Sequence, residues 1–124
     1  MPALERLRGV RVVADPTAID AARWRGDEVT VLRFAPDDAF AIGADGVDID
    51  DDDAIVESEP GFAGAWLPLD AVEHHLEWPL PAERPALAQG LVATVPAKVW
   101  LPDEGDVLLV TAAAYADELA GRLR

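Results

Sequence analysis

Cysteine is missing from this 124-residue chain. Without it there is neither a disulfide framework nor a thiolate metal site, and the expected compartment is the cytoplasm. Lysine occurs once, as Lys98, and serine once, as Ser58. A lone serine with no Gly-x-Ser-x-Gly elbow around it offers no acyl-transfer nucleophile. Gly-x-Gly-x-x-Gly and Walker sequences are absent, so nucleotide phosphates have no cradle. No apolar run approaches the ~18 residues that a membrane helix needs. The opening MPALERLRGV has no continuous apolar segment and no Ala-x-Ala site, so no secretion signal is expected. Positive charge is scarce, with 10 basic residues against 24 acidic ones, a formal charge of -14 and a pI near 4.2. A field of that sign repels nucleic acid and anionic lipid surfaces.

What is present is a large apolar share, 51%, enough for a real core. The length suits a single α+β domain over residues 1–124, burying roughly two-thirds of its unfolded surface. Short strands alternate with Pro, Gly and Asp turns. Val10 to Ala14 is a strand-length apolar run, and Asp15-Pro16 then caps a short helix over TAIDAARW. Glu28 to Phe34 alternates as a strand and pairs with AFAIG across the turn at Pro36-Asp37-Asp38. AIVESE and FAGAWL flank Pro60-Gly61 and are expected to pair with each other. Leu69, Val72, Leu76 and Leu80 recur at helical spacing in PLDAVEHHLEW, which Pro79 ends. LVATVPAKVWL reads as one strand, which Pro96 confines to an edge or a bulge. DVLLVT is the last strand, and a helix capped by Thr111 closes the chain, with Ala112, Tyr115, Leu119 and Leu123 as its apolar stripe. The expected fold is an antiparallel sheet with helices packed on one face, of split-βαβ, ferredoxin-like character in the C-terminal half.

This order of motifs resembles the gamma subunit of heterotetrameric sarcosine oxidase, and through it the folate-binding module of aminomethyltransferases. The resemblance runs from about Val29 to Leu123. It rests on APDDAFAIG, DAIVESEPGFAGAWLPLDAVEHHL, GLVATVPAKVWL and DVLLVTAAAYADELAGRL. The chain departs from the family at two steps: Glu57-Ser58-Glu59 matches its Asp-x-Ser step only loosely, and Pro68-Leu69-Asp70-Ala71 replaces its Gly-Pro-x-Ala helix entry. The resemblance implies an accessory chain whose flavin chemistry belongs to other subunits, so no catalytic residue and no cofactor is carried over.

The sharpest local signal is acidic: six aspartates fall within Asp45 to Asp53. Aligned to an EF-hand loop from Asp48, the ligands would be Asp48, Asp50, Asp52 and Glu59, with Ile55 at the apolar position. Asp53 then occupies the glycine position, and both flanks read as strands instead of helices. A solvated connector between strands, held extended by like charges and carrying no ordered metal, is the preferred reading.

His74 and His75 are the only histidines. Adjacent helical residues point about 100° apart, so these two cannot share a metal from a regular helix. Glu73 and Glu77 would repel at i, i+4. An exposed polar helix face is the expectation there.

Lys98 shares a strand face with Pro96 and Trp100, opposite Val95, Ala97, Val99 and Leu101. Its plainest role is an edge-strand lysine that blocks unwanted pairing. The alternative is a cation meeting an anionic ligand or a partner carboxylate. Four tryptophans beside three Phe and one Tyr is a generous number, and Trp is enriched at binding hot spots. Each Trp is expected in the core, while a partly exposed one near PLPAERP would mark a partner surface. The partner-binding candidates are therefore Trp66, Trp78, Lys98 and Trp100. With no catalytic constellation, the functional expectation is a noncatalytic accessory or protein-binding module with a protein partner or a second copy of itself. A folate-type small-molecule binder is the alternative, and an enzyme acting alone ranks last.

Overall fold

The computed structural model describes residues 3–124. Met1 and Pro2, where the sequence reading of the N-terminus begins, lie outside them. The chain is built mostly of antiparallel sheet, with few and short helices. No helix among the described residues is long and apolar enough to cross a membrane. The sequence suggests one domain, and the contacts gather in two compact units. One holds the N-terminal residues through Arg6 with Gly61–Arg124, the other Leu7–Pro60.

The first unit is built on five strands. They are β1 (Glu5–Arg6), β8 (Phe62–Leu67), β9 (Ala86–Val92), β10 (Val95–Leu101) and β11 (Val107–Ala112), in the order β1-β8-β11-β10-β9. Every ladder is antiparallel. The order places β8 beside β11, with β9, β10 and β11 as a meander, which is a Greek-key arrangement. Period-two alternation in β10 sends Val95, Ala97, Val99 and Leu101 into a core with Leu67, Val107 and Leu109. That core is closed by Val72 of α2 (Leu69–Glu73) and by Leu119 and Leu123 from α3 (Ala116–Arg122) and its C-cap. The helices thus cover one face, as their apolar stripes demand. β11 reads apolar throughout because both of its faces are covered, and Val107 to Thr111 are all buried.

The second unit has a four-stranded sheet, β4-β5-β2-β7, from β2 (Gly9–Val13), β4 (Thr30–Ala35), β5 (Asp38–Ile42) and β7 (Ile55–Ser58). A two-stranded ribbon joins β3 (Arg23–Arg25) to β6 (Gly46–Asp48). Helix α1 (Pro16–Asp20) starts as expected, with Asp15 as the cap and Pro16 as the first helical residue. It ends early, and Trp24 belongs to β3. Val10, Val12, Ile19, Ala39 and Ala41 form this unit's own core.

Four further expectations are corrected. AIVESE and FAGAWL do not pair: β7 pairs with β2, whereas β8 pairs with β1 and β11. Pro60-Gly61 marks the passage from one unit to the other instead of a hairpin. LVATVPAKVWL is a hairpin, not one strand. Ala93 and Thr94 take left-handed conformations (φ 49° and 68°) and reverse the chain between β9 and β10, the geometry of a two-residue primed turn. β10 therefore lies inside the sheet. Pro96 is tolerated there because its pairing with β11 begins one residue later, at Ala97. Finally, Thr111 caps no helix. It is a buried strand residue whose hydroxyl donates to the Pro96 carbonyl at 2.8 Å, and Tyr115 lies exposed in a 3-10 turn.

Candidate functional site

Alternation along β8, β10 and β11 gives the five-stranded sheet a second face, opposite the helices. One row is Trp66, Leu108, Trp100 and Leu87, set side by side by the ladders. The next row is Gly64, Val110, Lys98 and Gln89, and beyond it come Phe62 and Ala112. Three of the four residues singled out from sequence, Trp66, Lys98 and Trp100, thus share one face. Trp66 is 51% exposed and Trp100 partly so. Lys98 is no edge-strand lysine, because it lies between Gln89 and Val110 in the middle of the sheet. The role of blocking edge pairing is therefore excluded. Its Nζ sits 6.0 Å from the Phe62 ring centroid, within reach of a cation–π attraction.

Beside Lys98 the surface sinks into a hollow of about 320 Å³. Phe62, Leu91 and Tyr115 supply apolar walls, and Gln89 and Lys98 supply the polar groups. Sequence reasoning missed Phe62, Gln89 and Tyr115, because the turn that brings β9 against β10 carries no Asn-Gly or Asp-Gly signal.

Trp78 stands apart from the other three. It belongs to the helix-side core, and its Nε1 donates to the Leu91 carbonyl at 2.7 Å. Helix α2 stops at Glu73, so Trp78 lies in the connection after it instead of ending a helix. A second hollow, of about 260 Å³, opens between Trp78, His75, Glu77 and the outer edge of β9. His74 is the C-cap of α2 and His75 follows it outside the helix, their rings edge to face with centroids 5.1 Å apart.

In the second unit the acidic run is part strand and part loop. Asp48 ends β6 and forms an ion pair with Arg25. The Asp51 carboxylate accepts the backbone N–H of Asp15 at 2.8 Å and that of Asp53 at 2.9 Å. Asp50 and Asp52 are exposed. Glu59 is held by Arg11 at 2.8 Å. The four residues of the EF-hand alignment therefore do not act as a set. No three His, Asp or Glu side chains among the described residues gather where they could hold a metal ion.

Arg11 is held by several groups at once. Nε and Nη2 fork onto Asp38 at 2.5 and 2.7 Å, Nη1 reaches Glu59, and the guanidinium stacks 4.8 Å from the Phe34 centroid. The hydrogen bonds that Arg11 donates to the Asp38 carboxylate raise its pKa above the ordinary arginine value against the opposing effect of burial. A lone charge inside the apolar run VRVV was the sequence signal for this hub. Asp15 is shifted the other way, its pKa lowered chiefly by the Thr17 hydroxyl and then by the Thr17 backbone N–H.

No protein-family model matches the chain, and neither characterised proteins nor solved structures give a match.

Proposed function

We propose that this chain is a noncatalytic accessory module that binds a protein partner through the exposed residues on the second face of its five-stranded sheet, Trp66 foremost. The observation that carries this reading is the placement of Trp66, Lys98 and Trp100 on the face opposite the helices, where Trp66 is half exposed although Leu108 and Val110 beside them are buried. Interface energy concentrates in large aromatic and cationic anchors of this kind. The resemblance of its motif order to the sarcosine oxidase gamma subunit suggests the class of partner: subunits that carry flavin chemistry. The split-βαβ, ferredoxin-like reading draws support only from the β8–α2–β9 order. The ladder directions favour the Greek key.

Co-purification with the tagged chain from its native host tests the reading. The parent should retain a partner, and Trp66→Asp should lose it with an unchanged circular dichroism spectrum. A hot-spot side chain worth about 2 kcal/mol weakens binding roughly 30-fold. Equal recovery by parent and variant, or a strictly monomeric chain that recovers nothing, would remove it.

The hollow beside Lys98 supports a second reading, a small-molecule site. Its volume of about 320 Å³ stands at the low end for ligand pockets. It suits a bicyclic ring and leaves no room for a whole folate with its anionic tail. Lys98 is the single cation in its wall. Titration calorimetry with tetrahydrofolate decides this, and no heat at millimolar ligand would retire the idea.

A further inference from the structure

Both edges of the five-stranded sheet are blunted. β1 is two residues long. On β9 the alternation of an antiparallel ladder turns the Leu91 carbonyl outward, and the Trp78 indole covers it. The free edge at β7 is different. β7 pairs with β2 alone, and all four of its residues are exposed. Ile55 is 56% exposed and Val56 45%, on opposite faces of the strand, and Ile55 continues onto Val13 at 38%. The Glu59 N–H donates to the Gly9 carbonyl at 3.0 Å. Alternation from that pair leaves Val56 and Ser58 with their N–H and C=O groups directed away from β2. An incoming strand would thus meet backbone donors and acceptors flanked by an aliphatic side chain above and another below.

The surroundings of that edge are acidic. Asp50, Asp52, Asp53 and Glu57 stand exposed around β7, and none of them forms an ion pair among the described residues. A second copy of this chain is a poor occupant, because a β7–β7 ladder in either direction brings these carboxylates together, and like charges across a ladder destabilise it. We propose that the β7 edge docks an extended, basic segment of another protein, adding it as a fifth strand. Lysine or arginine side chains of that segment would meet the aspartates, and its small aliphatic side chains would pack on Ile55 and Val56. Strand addition of this kind takes affinity from main-chain hydrogen bonds and selectivity from alternate side chains. The edge belongs to the Leu7–Pro60 unit and is independent of the Trp66 face.

The probe is a short, end-capped peptide alternating valine with lysine, titrated into the full chain at low salt and followed by amide chemical shifts. Shifts should centre on Val56 and Ser58. A valine–glutamate peptide should leave them unmoved. The lysine peptide methylated on alternate backbone nitrogens should bind about tenfold more weakly, because it loses the ladder bonds while keeping the charge. Val56→Pro removes an outward N–H together with the Val56 side chain, spares the ladder to β2, and should weaken binding at least as much. If the methylated peptide binds as well as its parent, the aspartates merely condense cations and the proposal fails. It also fails if shifts fall outside β7, or if dilution of the chain alone moves the same amides, which would make a second copy the occupant. The methylated-peptide arm decides the matter without any variant.

Discussion

The Trp78 indole lies across Gly90, so close that a Cβ at that glycine would come within 2.8 Å of Cζ2. The ring cannot simply swing aside, because its Nε1 is tied to the Leu91 carbonyl one residue along the same strand. Gly90→Ala should therefore destabilise the protein by roughly 1–3 kcal/mol, the ordinary cost of overpacking. Gly121, in α3, has nothing within 4 Å of its Cβ position. There the same change should stabilise by about 0.5–1 kcal/mol, because alanine is the better helix former. Urea unfolding of the two variants should shift the midpoint in opposite directions, and equal shifts would contradict the account.

Arg11 holds Asp38 and Glu59 together from β2, with about 29% of its side chain exposed. Removing it leaves two carboxylates close together without their cation. Partial exposure discounts the loss relative to a fully buried network. Arg11→Met should then cost about 1–3 kcal/mol by denaturant midpoint, with the slope unchanged. Arg11→Lys should recover only part of this, because an ammonium cannot fork onto both oxygens of Asp38 while reaching Glu59. Full recovery by lysine would mean that charge alone matters and the geometry does not.

Asp15 gives the fold a pH signature. Its carboxylate accepts from the Thr17 hydroxyl and backbone N–H, which lowers its pKa in the folded state. A depressed carboxylate stabilises the fold above its unfolded pKa, near 4, and that contribution fades as the pH falls through the lower folded value. Asp15→Ala should lower the melting temperature at neutral pH, with the difference from the parent closing in strong acid. Asp15→Asn keeps a capping oxygen without the titration. It should lie between the two at neutral pH and show a flatter acid limb. A difference for Asp15→Ala that persists at the lowest pH would rule out this carboxylate as its source.

Much of the strand content was legible because alternation is a local property. VPAKVWL declared its two faces, and both are occupied as read. Pairing was not legible. The reversal at Ala93-Thr94 uses residues that seldom adopt left-handed φ, so β9 and β10 looked like one strand. Arg122 helps hold that turn, its Nη1 reaching the Thr94 hydroxyl at 2.6 Å, a tertiary contact with no local signature. Pro60-Gly61 carried a strong turn signal, yet the chain uses it to leave one sheet for another. On the site, sequence named Trp66, Lys98 and Trp100, and the fold adds that they share a face. Arg11 and the β7 edge emerged only once strand order was known, because an edge is a property of the sheet and not of its residues.

The acidic run offers the last prediction, and the structure divides its members. Asp51 takes two backbone N–H bonds and Asp48 an arginine, so both help hold the segment in place. Asp50, Asp52 and Asp53 stand exposed without ion partners and mainly repel their neighbours. Replacing those three with Asn should raise the melting temperature at low ionic strength. The gain should shrink as salt rises toward 1 M, where the screening length falls to about 3 Å. Asp51→Asn should go the other way and lower the melting temperature, because a neutral amide accepts the Asp15 and Asp53 amides less strongly than a carboxylate does. Scanning calorimetry of both variants across a salt series checks the pair. Identical responses would mean that the run acts as an undifferentiated pool of charge, and the distinct place of Asp51 would have to be abandoned.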